Sequence, residues 1–440
     1  MQKMTNYRWT ICSLVFFATT INYLDRQVIS LLKPYLEKEF NWSETDYSNV
    51  VAAFQLAYAL GMLGVGSIID RVGSKMGYAV SLILWSIAAV MHAFVKTTFG
   101  FGVVRAFLGV TEAGNFPAAI KVVAEWFPKR ERAFATGIFN SGTNIGAVIA
   151  PLLVPWLAVT YSWQMAFILT GAVGFLWLIF WFLLYETPER HKRISASELA
   201  HINSDEETTT SLNEGETEAV IPWRQLLTYK QTWAYAVGKF LSDGVWWFFL
   251  FWLPAFLISE YGLVGLEVSF PVAVVYLIAG IGSIAGGWLP MWFSKNKGWT
   301  MVRSRKTSML IYAAIPLMVM FSQWAGSFNM WYAVIIIGIG MSAHQAWSAN
   351  IMTTVSDMFP KTSIGAVIGI GGMFGGFGNI TVAKSAGYLL DHYKAAGHIQ
   401  TGYYMLFLFC GTAYLLAWFL MFRVLVPKMT PIKPHMKKIE

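Results

Sequence analysis

Charged side chains are scarce in this sequence. Asp, Glu, Lys and Arg make up 13% of its 440 residues, against 56% hydrophobic and 16% aromatic. Soluble domains carry about a quarter charged residues, so a water-soluble globule of this length would lack a polar shell. Cysteine is scarcer still. Cys12 and Cys410 are the only two, both within apolar runs, which excludes a disulfide framework and any Cys-based metal site. No His/Cys ligand spacing and no nucleophile–base pair stands out, which argues against an enzyme and leaves no metal or cofactor to expect. A long polar segment is also missing. The one polar stretch, 186–230, is too short to hold the output domain of a sensor.

What the chain does have is long apolar runs. About 20 apolar residues suffice to cross a bilayer as a helix. Twelve such runs are legible, at roughly 9–32, 46–69, 77–96, 98–122, 132–158, 163–185, 231–259, 268–293, 304–324, 328–352, 362–389 and 400–426. The first is too long for a cleaved signal peptide and lacks a small-residue cleavage site. The expected architecture is an all-α membrane protein of two pseudo-symmetric six-helix bundles, 1–185 and 231–440. A cytoplasmic linker, 186–230, joins them along the membrane surface, with its charged, Ser/Thr-rich part running from His191 to Glu218.

Orientation follows from the basic residues. Lys33, Lys38, Lys96 and Lys394 fall in one set of alternate loops, while the other set and both termini hold most of the remaining Lys and Arg. Positive residues stay inside, so both termini are expected in the cytoplasm. The net charge of +8 is then an orientation signal rather than a sign of nucleic-acid binding.

The halves carry traces of duplication. Trp126-Phe127-Pro128-Lys129 before span 5 parallels Met358-Phe359-Pro360-Lys361 before span 11. At the same spacing Gly137 matches Gly369 and Gly146 matches Gly378. Duplicated six-helix halves mark alternating-access carriers. Gly142, Gly146 and Ala150 recur every four residues on span 5, and span 11 is rich in glycine, so both can pack closely on neighbours. Between spans 2 and 3 lies Gly66-Ser67-Ile68-Ile69-Asp70-Arg71-Val72-Gly73-Ser74-Lys75. Its glycines permit a tight turn and close helix approach, and Asp70 can meet a helix N-terminus or a basic side chain. The expectation is a conformational latch formed by Gly66, Asp70, Arg71 and Gly73.

Charges inside spans cost about 2.5–3.5 kcal/mol each at a helix centre, so they point to function. Span 1 carries Asp25 and Arg26; span 4 carries Arg105 and Glu112. Seven residues put Arg105 and Glu112 on one face but about 10 Å apart. Each therefore needs another partner, and span 1 is the natural source. A fixed guanidinium at Arg26 selects an anion, which it can grip through parallel hydrogen bonds. Asp25 and Glu112 are the expected proton-coupling groups. Lys239 and Asp243, four apart on span 7, are expected to pair; Lys121 and Lys384 are expected to reach an interface. Tyr23, Tyr58, Asn144, Trp247, His344 and Trp347 are candidates to line the substrate path, with His344 also readable as a satisfied core histidine.

The string Asn22-Tyr23-Leu24-Asp25-Arg26, with Arg105-x6-Glu112-Ala113-Gly114-x2-Pro117, resembles the anion:cation symporter family of the major facilitator superfamily. The loop between spans 2 and 3 resembles that superfamily's signature. The strings Ser162-Trp163-Gln164-Met165-Ala166-Phe167, Ala343-His344-Gln345-Ala346, Ser356-Asp357-Met358-Phe359 and Gly369-Ile370-Gly371-Gly372-Met373 are similar to those of the hexuronate transporters. The resemblance implies the major facilitator fold and proton-coupled import of glucuronate or galacturonate across a bacterial inner membrane, with another organic anion such as galactonate as the alternative. It implies protonation at Asp25 and Glu112, a carboxylate held by Arg26, and Arg105 positioning Glu112 or that carboxylate. It also implies sugar hydroxyls against Tyr23 and Tyr58. The carrier is expected to work as a monomer, with the lipid bilayer, the anion and protons as its only partners.

Overall fold

A computed structural model describes residues 5–204, 221–359 and 363–432, leaving aside a few helical side chains, Asp70 and Lys129 among them. The Asp70 part of the latch, Pro360-Lys361 of the second repeat and residues 205–220 of the linker lie outside the described residues. Most of the rest is helical. The spans of the first half are α1 (Tyr7–Phe40), α2 (Glu44–Val72), α3 (Ser74–Met91), α4 (Thr98–Glu112) with α5 (Asn115–Trp126), α6 (Lys129–Thr160) and α7 (Trp163–Leu184). The short helices α8 (Ala196–Ile202) and α9 (Trp223–Leu226) follow. The second half comprises α10 (Lys230–Tyr261), α11 (Ser269–Lys297), α12 (Met301–Ala314) continued through 3-10 turns into α13 (Ser322–Gly326), α14 (Met330–Met358), α15 (Ile364–Ala395) and α16 (Ile399–Phe419).

Among the described residues, nine helices are long and apolar enough to span a membrane on composition alone. The remaining spans are α1, the α4–α5 pair and α14. In α1 and α14 the polar residues Asn22, Asp25, Arg26 and Gln27, and His344 and Gln345, lower the hydropathy; α4 and α5, which carry Arg105 and Glu112, are each too short on their own, at 15 and 12 residues. The helices poorest as lipid-facing segments are those that bring polar groups into the protein.

Span 4 is not the single helix the hydropathy suggests. It breaks at Ala113–Gly114, three residues before Pro117. A proline lacks the N–H that would bond the carbonyl four residues back, here Ala113, and its ring crowds that carbonyl. The break leaves Glu112 at the end of α4 and opens α5 with Asn115, which accepts from Tyr78 Oη (2.7 Å) and donates to Thr19 Oγ1 (3.4 Å).

The chain forms two compact units, Met1–Tyr35 with Ala53–Glu216, and Leu36–Ala52 with Thr217–Glu440. The excursion of residues 36–52 into the second unit has no counterpart in the sequence-based boundaries. It is held there by polar contacts. Tyr47 Oη donates to the Phe251 carbonyl (2.8 Å), and Asp391 accepts from the Glu44 and Thr45 amides (2.7 Å each). These are the first amides of α2, which lack intrahelical partners and carry the positive end of the helix dipole.

The first unit contains a second such cap. Glu198 of α8, fully buried, accepts from Thr5 Oγ1 (2.5 Å), the Tyr7 and Arg8 amides (3.1 Å each) and Arg8 Nη1 (3.2 Å). Arg8 Nε also donates to Glu131 (3.0 Å), which His201 meets at 2.7 Å. The segment expected to lie as a linker on the membrane surface therefore begins as a clamp on the N-terminus of α1.

Duplication is visible in the packing. A Cβ at Gly146 of α6 would stand 2.5 Å from the Thr20 carbonyl of α1. Its repeat mate Gly378 of α15 abuts the Phe240 carbonyl of α10 in the second unit. The matched residues Phe127 and Phe359 both end their helices in extended conformation, donating to Val123 and Val355. In the latch loop, Gly73 has φ +90°, the left-handed region that favours glycine, and it starts α3. Gly66 is not a close-approach point: a Cβ there would meet nothing within 4 Å. Arg71 is exposed.

Candidate functional site

In the first unit the charged residues of spans 1 and 4 converge on Arg26. Its guanidinium donates Nε (2.9 Å) and Nη2 (2.8 Å) to Glu112 Oε2, and Nη2 also reaches Asn22 Oδ1 (3.1 Å). Arg105 does not pair with Glu112. Its Nη2 donates to the backbone carbonyl of Arg26 (2.5 Å). Span 4 thus holds Arg26 at two points two helical turns apart, one on its side chain and one on its backbone. Arg26, Arg105 and Glu112 are at most 1% exposed and Asp25 is 2% exposed, so none faces lipid.

Aromatic rings complete the enclosure. The Arg26 guanidinium lies 4.6 Å from the Tyr23 ring, 4.9 Å from Tyr58 and 5.3 Å from Phe54. Phe54 also lies 4.9 Å from the Arg105 guanidinium, so one ring serves two cations. Such contacts favour a guanidinium over an ammonium, because its flat face stacks on rings. Tyr23 and Tyr58 are half-buried, with part of each ring accessible.

Several polar atoms here have no hydrogen-bond partner among the described residues: Glu112 Oε1, both oxygens of Asp25, and both amide atoms of Gln27 and Gln55. Thr170 stands beside Asp25, but its hydroxyl donates to the Ala166 carbonyl (2.9 Å). Buried polar groups are normally satisfied, by water where protein offers no partner. The two glutamines escaped the sequence reading. A single neutral amide in an apolar run is a weak signal, and only packing reveals that each is buried.

The second unit holds a separate polar cluster. Lys239 Nζ meets Asp243 Oδ2 at 2.6 Å on α10, the pairing the spacing implied. His344 is hydrogen-bonded to Tyr414 (2.6 Å) and stacked on Trp246, and Trp347 is fully buried with its ring edge-on to Tyr414. Both sit as packed core residues. Trp247, stacked on Phe251, is half-buried, as is Asn144 on α6 of the first unit. Tyr414 is a hub that the sequence reading missed. The two lysines expected to reach an interface are engaged within the protein: Lys121 donates to the Ile69 carbonyl at the end of α2 (3.1 Å), and Lys384 to Asn49.

A bundle of this many spans, with a buried ion pair between its first and fourth, has the organisation expected of a membrane carrier. Residues 15–383 match the family model of the Major Facilitator Superfamily. The chain is 34% identical over 391 residues to the hexuronate transporter of Escherichia coli K12, with 89% of each chain covered. It is 34% identical over 317 residues to the galacturonate transporter of Dickeya chrysanthemi, covering 72% of this chain and 91% of that one. In fold it is similar to a bacterial homologue of the human lysosomal transporter Spinster, crystallised inward-facing and occupied. That likeness has a TM-score of 0.77 at 17% identity and covers 98% and 100% of the two chains. This chain belongs to the Major Facilitator Superfamily, and within it to the hexuronate-transporter-like members. It is a multi-pass membrane transporter.

Proposed function

We propose that this transporter imports a sugar acid, most readily a hexuronate such as glucuronate or galacturonate, together with protons. We place it in a bacterial inner membrane, working as a monomer with both termini in the cytoplasm. The observation that carries the reading is the Arg26–Glu112 pair. Glu112 occupies the donors that a substrate carboxylate would need, so anion and proton are linked by competition for one guanidinium.

The exchange runs as follows. A proton added to Glu112 removes its charge and weakens its hold on Nε and Nη2 of Arg26. A substrate carboxylate then takes those donors. The site has gained one proton and one anion and its net charge is unchanged, so reorientation moves no additional charge. On the far side Glu112 releases its proton, reclaims Arg26 and displaces the substrate. Asp25, whose oxygens have no hydrogen-bond partner among the described residues, is the second protonation site; using it as well would make transport respond to the membrane potential, at about 2.3 kcal/mol per charge per 100 mV. Tyr23 and Tyr58 offer ring faces and hydroxyls to the sugar. Arg105 holds the backbone of Arg26 and so aims its side chain.

Two observations support the substrate class: the hexuronate and galacturonate names of the relatives, and a cation caged by rings at a depth where a free charge is costly. The test is uptake of radiolabelled glucuronate into proteoliposomes, with and without an inward acid gradient. Accumulation above the outside concentration under inward acid is expected. Downhill exchange indifferent to protons would defeat symport, and glucuronate left outside while galactonate enters would move the substrate to the aldonates.

A further inference from the structure

The ends of α12 and α16 in the second unit enclose a cleft of about 380 Å³, lined by Thr300, Arg303, Lys306, Thr307, Leu310, Trp418 and Arg423, among others. Three cations share one cleft, and among its described lining residues there is no carboxylate. Arg305, on the same turn, is paired with Asp357 (2.9 Å) and does not line it. The cations are held in place: Lys306 donates to the Pro427 carbonyl (2.7 Å), Arg303 lies 4.3 Å from the Trp299 ring and Arg423 5.6 Å from the Trp418 ring. Trp418 in turn donates to the Lys306 carbonyl (2.9 Å). Thr300 caps the start of α12, so the helix adds its positive end to the same cleft. Like charges gathered without a counter-ion repel one another, and an anion bound among them would relieve that repulsion.

The walls tell which anion. Leu310 lines the cleft about 6 Å deeper along α12 than Lys306, by helical rise, and Leu416 of α16 precedes Arg423, which lies in the π-helical segment that follows α16. Both are exposed, as is Ile311 beside them. A phosphate at the cations would have the apolar residues of α12 on one side of it, and Trp418, a residue type enriched at membrane–water interfaces, lines the same cleft. We propose that this cleft binds the phosphodiester headgroup of an anionic phospholipid, with its acyl chains lying over Leu310, Ile311 and Leu416. Basic clefts between spanning helices at the positively charged end of a membrane protein suit such headgroups.

The test is native mass spectrometry of the delipidated full-length protein with phosphatidylglycerol, phosphatidylcholine and, as a water-soluble phosphate, glycerol 3-phosphate. Phosphatidylglycerol should be retained in preference to phosphatidylcholine. Arg303→Gln, Lys306→Gln and Arg423→Gln should each lower that preference about fivefold. Arg224→Gln, which removes a basic residue beside Trp223 of α9, should leave it unchanged. The three single variants are read separately, so that a failure of one to fold leaves the other two to decide. An undiminished preference in all of them overturns the proposal. So does displacement of phosphatidylglycerol by glycerol 3-phosphate, which would make the cleft a site for a soluble phosphate.

Discussion

Glu112 meets Arg26 with one oxygen rather than two. Oε2 takes both Nε and Nη2, at 2.9 and 2.8 Å, while Oε1 is buried without a hydrogen-bond partner among the described residues. A carboxylate in a parallel two-point grip uses both oxygens. The arrangement here leaves one oxygen open to a proton while the other still faces the guanidinium. Replacing Glu112 by Gln keeps an acceptor for Arg26 and removes the titration. Glu112→Gln should retain glucuronate counterflow and lose accumulation driven by a pH gradient. Equal loss of both activities would give Glu112 a structural role only.

Arg26→Lys is expected to weaken substrate binding at least tenfold. An ammonium offers no flat face to Tyr23, Phe54 and Tyr58 and cannot present two donors in one plane. Isothermal titration of purified protein with glucuronate reads the change directly, and an unaltered affinity would remove Arg26 from the binding step.

How much of this was legible beforehand depends on the kind of interaction. The twelve spans and the isolated charges were readable because apolar length and buried charge are strong, local signals. That Arg105 and Glu112 would not pair with each other followed from helical spacing, and span 1 was the natural source of partners because it carries Asp25 and Arg26. Which group would meet which did not follow. Arg105 reaching a backbone carbonyl leaves no trace in side-chain chemistry, because every residue carries that acceptor. Pro117 was visible, and the physics of its missing N–H locates the break at Ala113, yet a hydropathy profile averages across it. Glu198 lay in a stretch whose composition reads as a solvated linker. The unmatched amides at the start of α1, with the Arg8 guanidinium and the Thr5 hydroxyl, explain why a carboxylate is buried there.

The Arg8–Glu131–Glu198–His201 clamp gives a pH prediction outside the membrane. Burial pushes Glu131 up, but the hydrogen bonds from His201 and Arg8, with their charges, outweigh it and hold the carboxyl below its usual value of 4.5. A depressed folded-state value means the unfolded chain takes up the proton first as pH falls. The stabilisation is therefore complete well above pH 4.5 and declines as pH drops through the lower folded value. Thermal unfolding of Glu131→Gln should show a Tm deficit at pH 7 that shrinks below about pH 4.5. A deficit that is constant with pH would mean the loss is one of packing.

Asp243→Asn should destabilise the protein by about 3–5 kcal/mol, because Lys239 loses its 2.6 Å ionic partner where it is only 7% exposed. Lys239→Met combined with Asp243→Asn should recover most of that loss. Unfolding of the two single variants and the double in one detergent closes the cycle. Additive losses would show that the pair is not coupled.

The duplicated glycines separate packing from conformational freedom. Gly137, Gly146, Gly369 and Gly378 form two matched pairs at one spacing, and all four lie within helices. In sequence Gly146 belongs to the stripe Gly142, Gly146 and Ala150 and Gly137 does not, which sets the two pairs apart in the first half. In the structure a Cβ at Gly137 or Gly369 meets nothing within 4 Å, whereas at Gly146 and Gly378 it strikes a backbone carbonyl of the neighbouring helix. A carbonyl cannot rotate away as a side chain can, so the helices would have to separate, at a cost of about 1–3 kcal/mol. Alanine at Gly146 or Gly378 should thus lower Tm and transport rate. Alanine at Gly137 or Gly369 should leave Tm level or raise it, since alanine is the better helix former by up to about 1 kcal/mol. If all four alanine variants lost stability alike, the glycines would be serving helix bending rather than contact, and the common packing of α6 on α1 and α15 on α10 would not be what the duplication preserves.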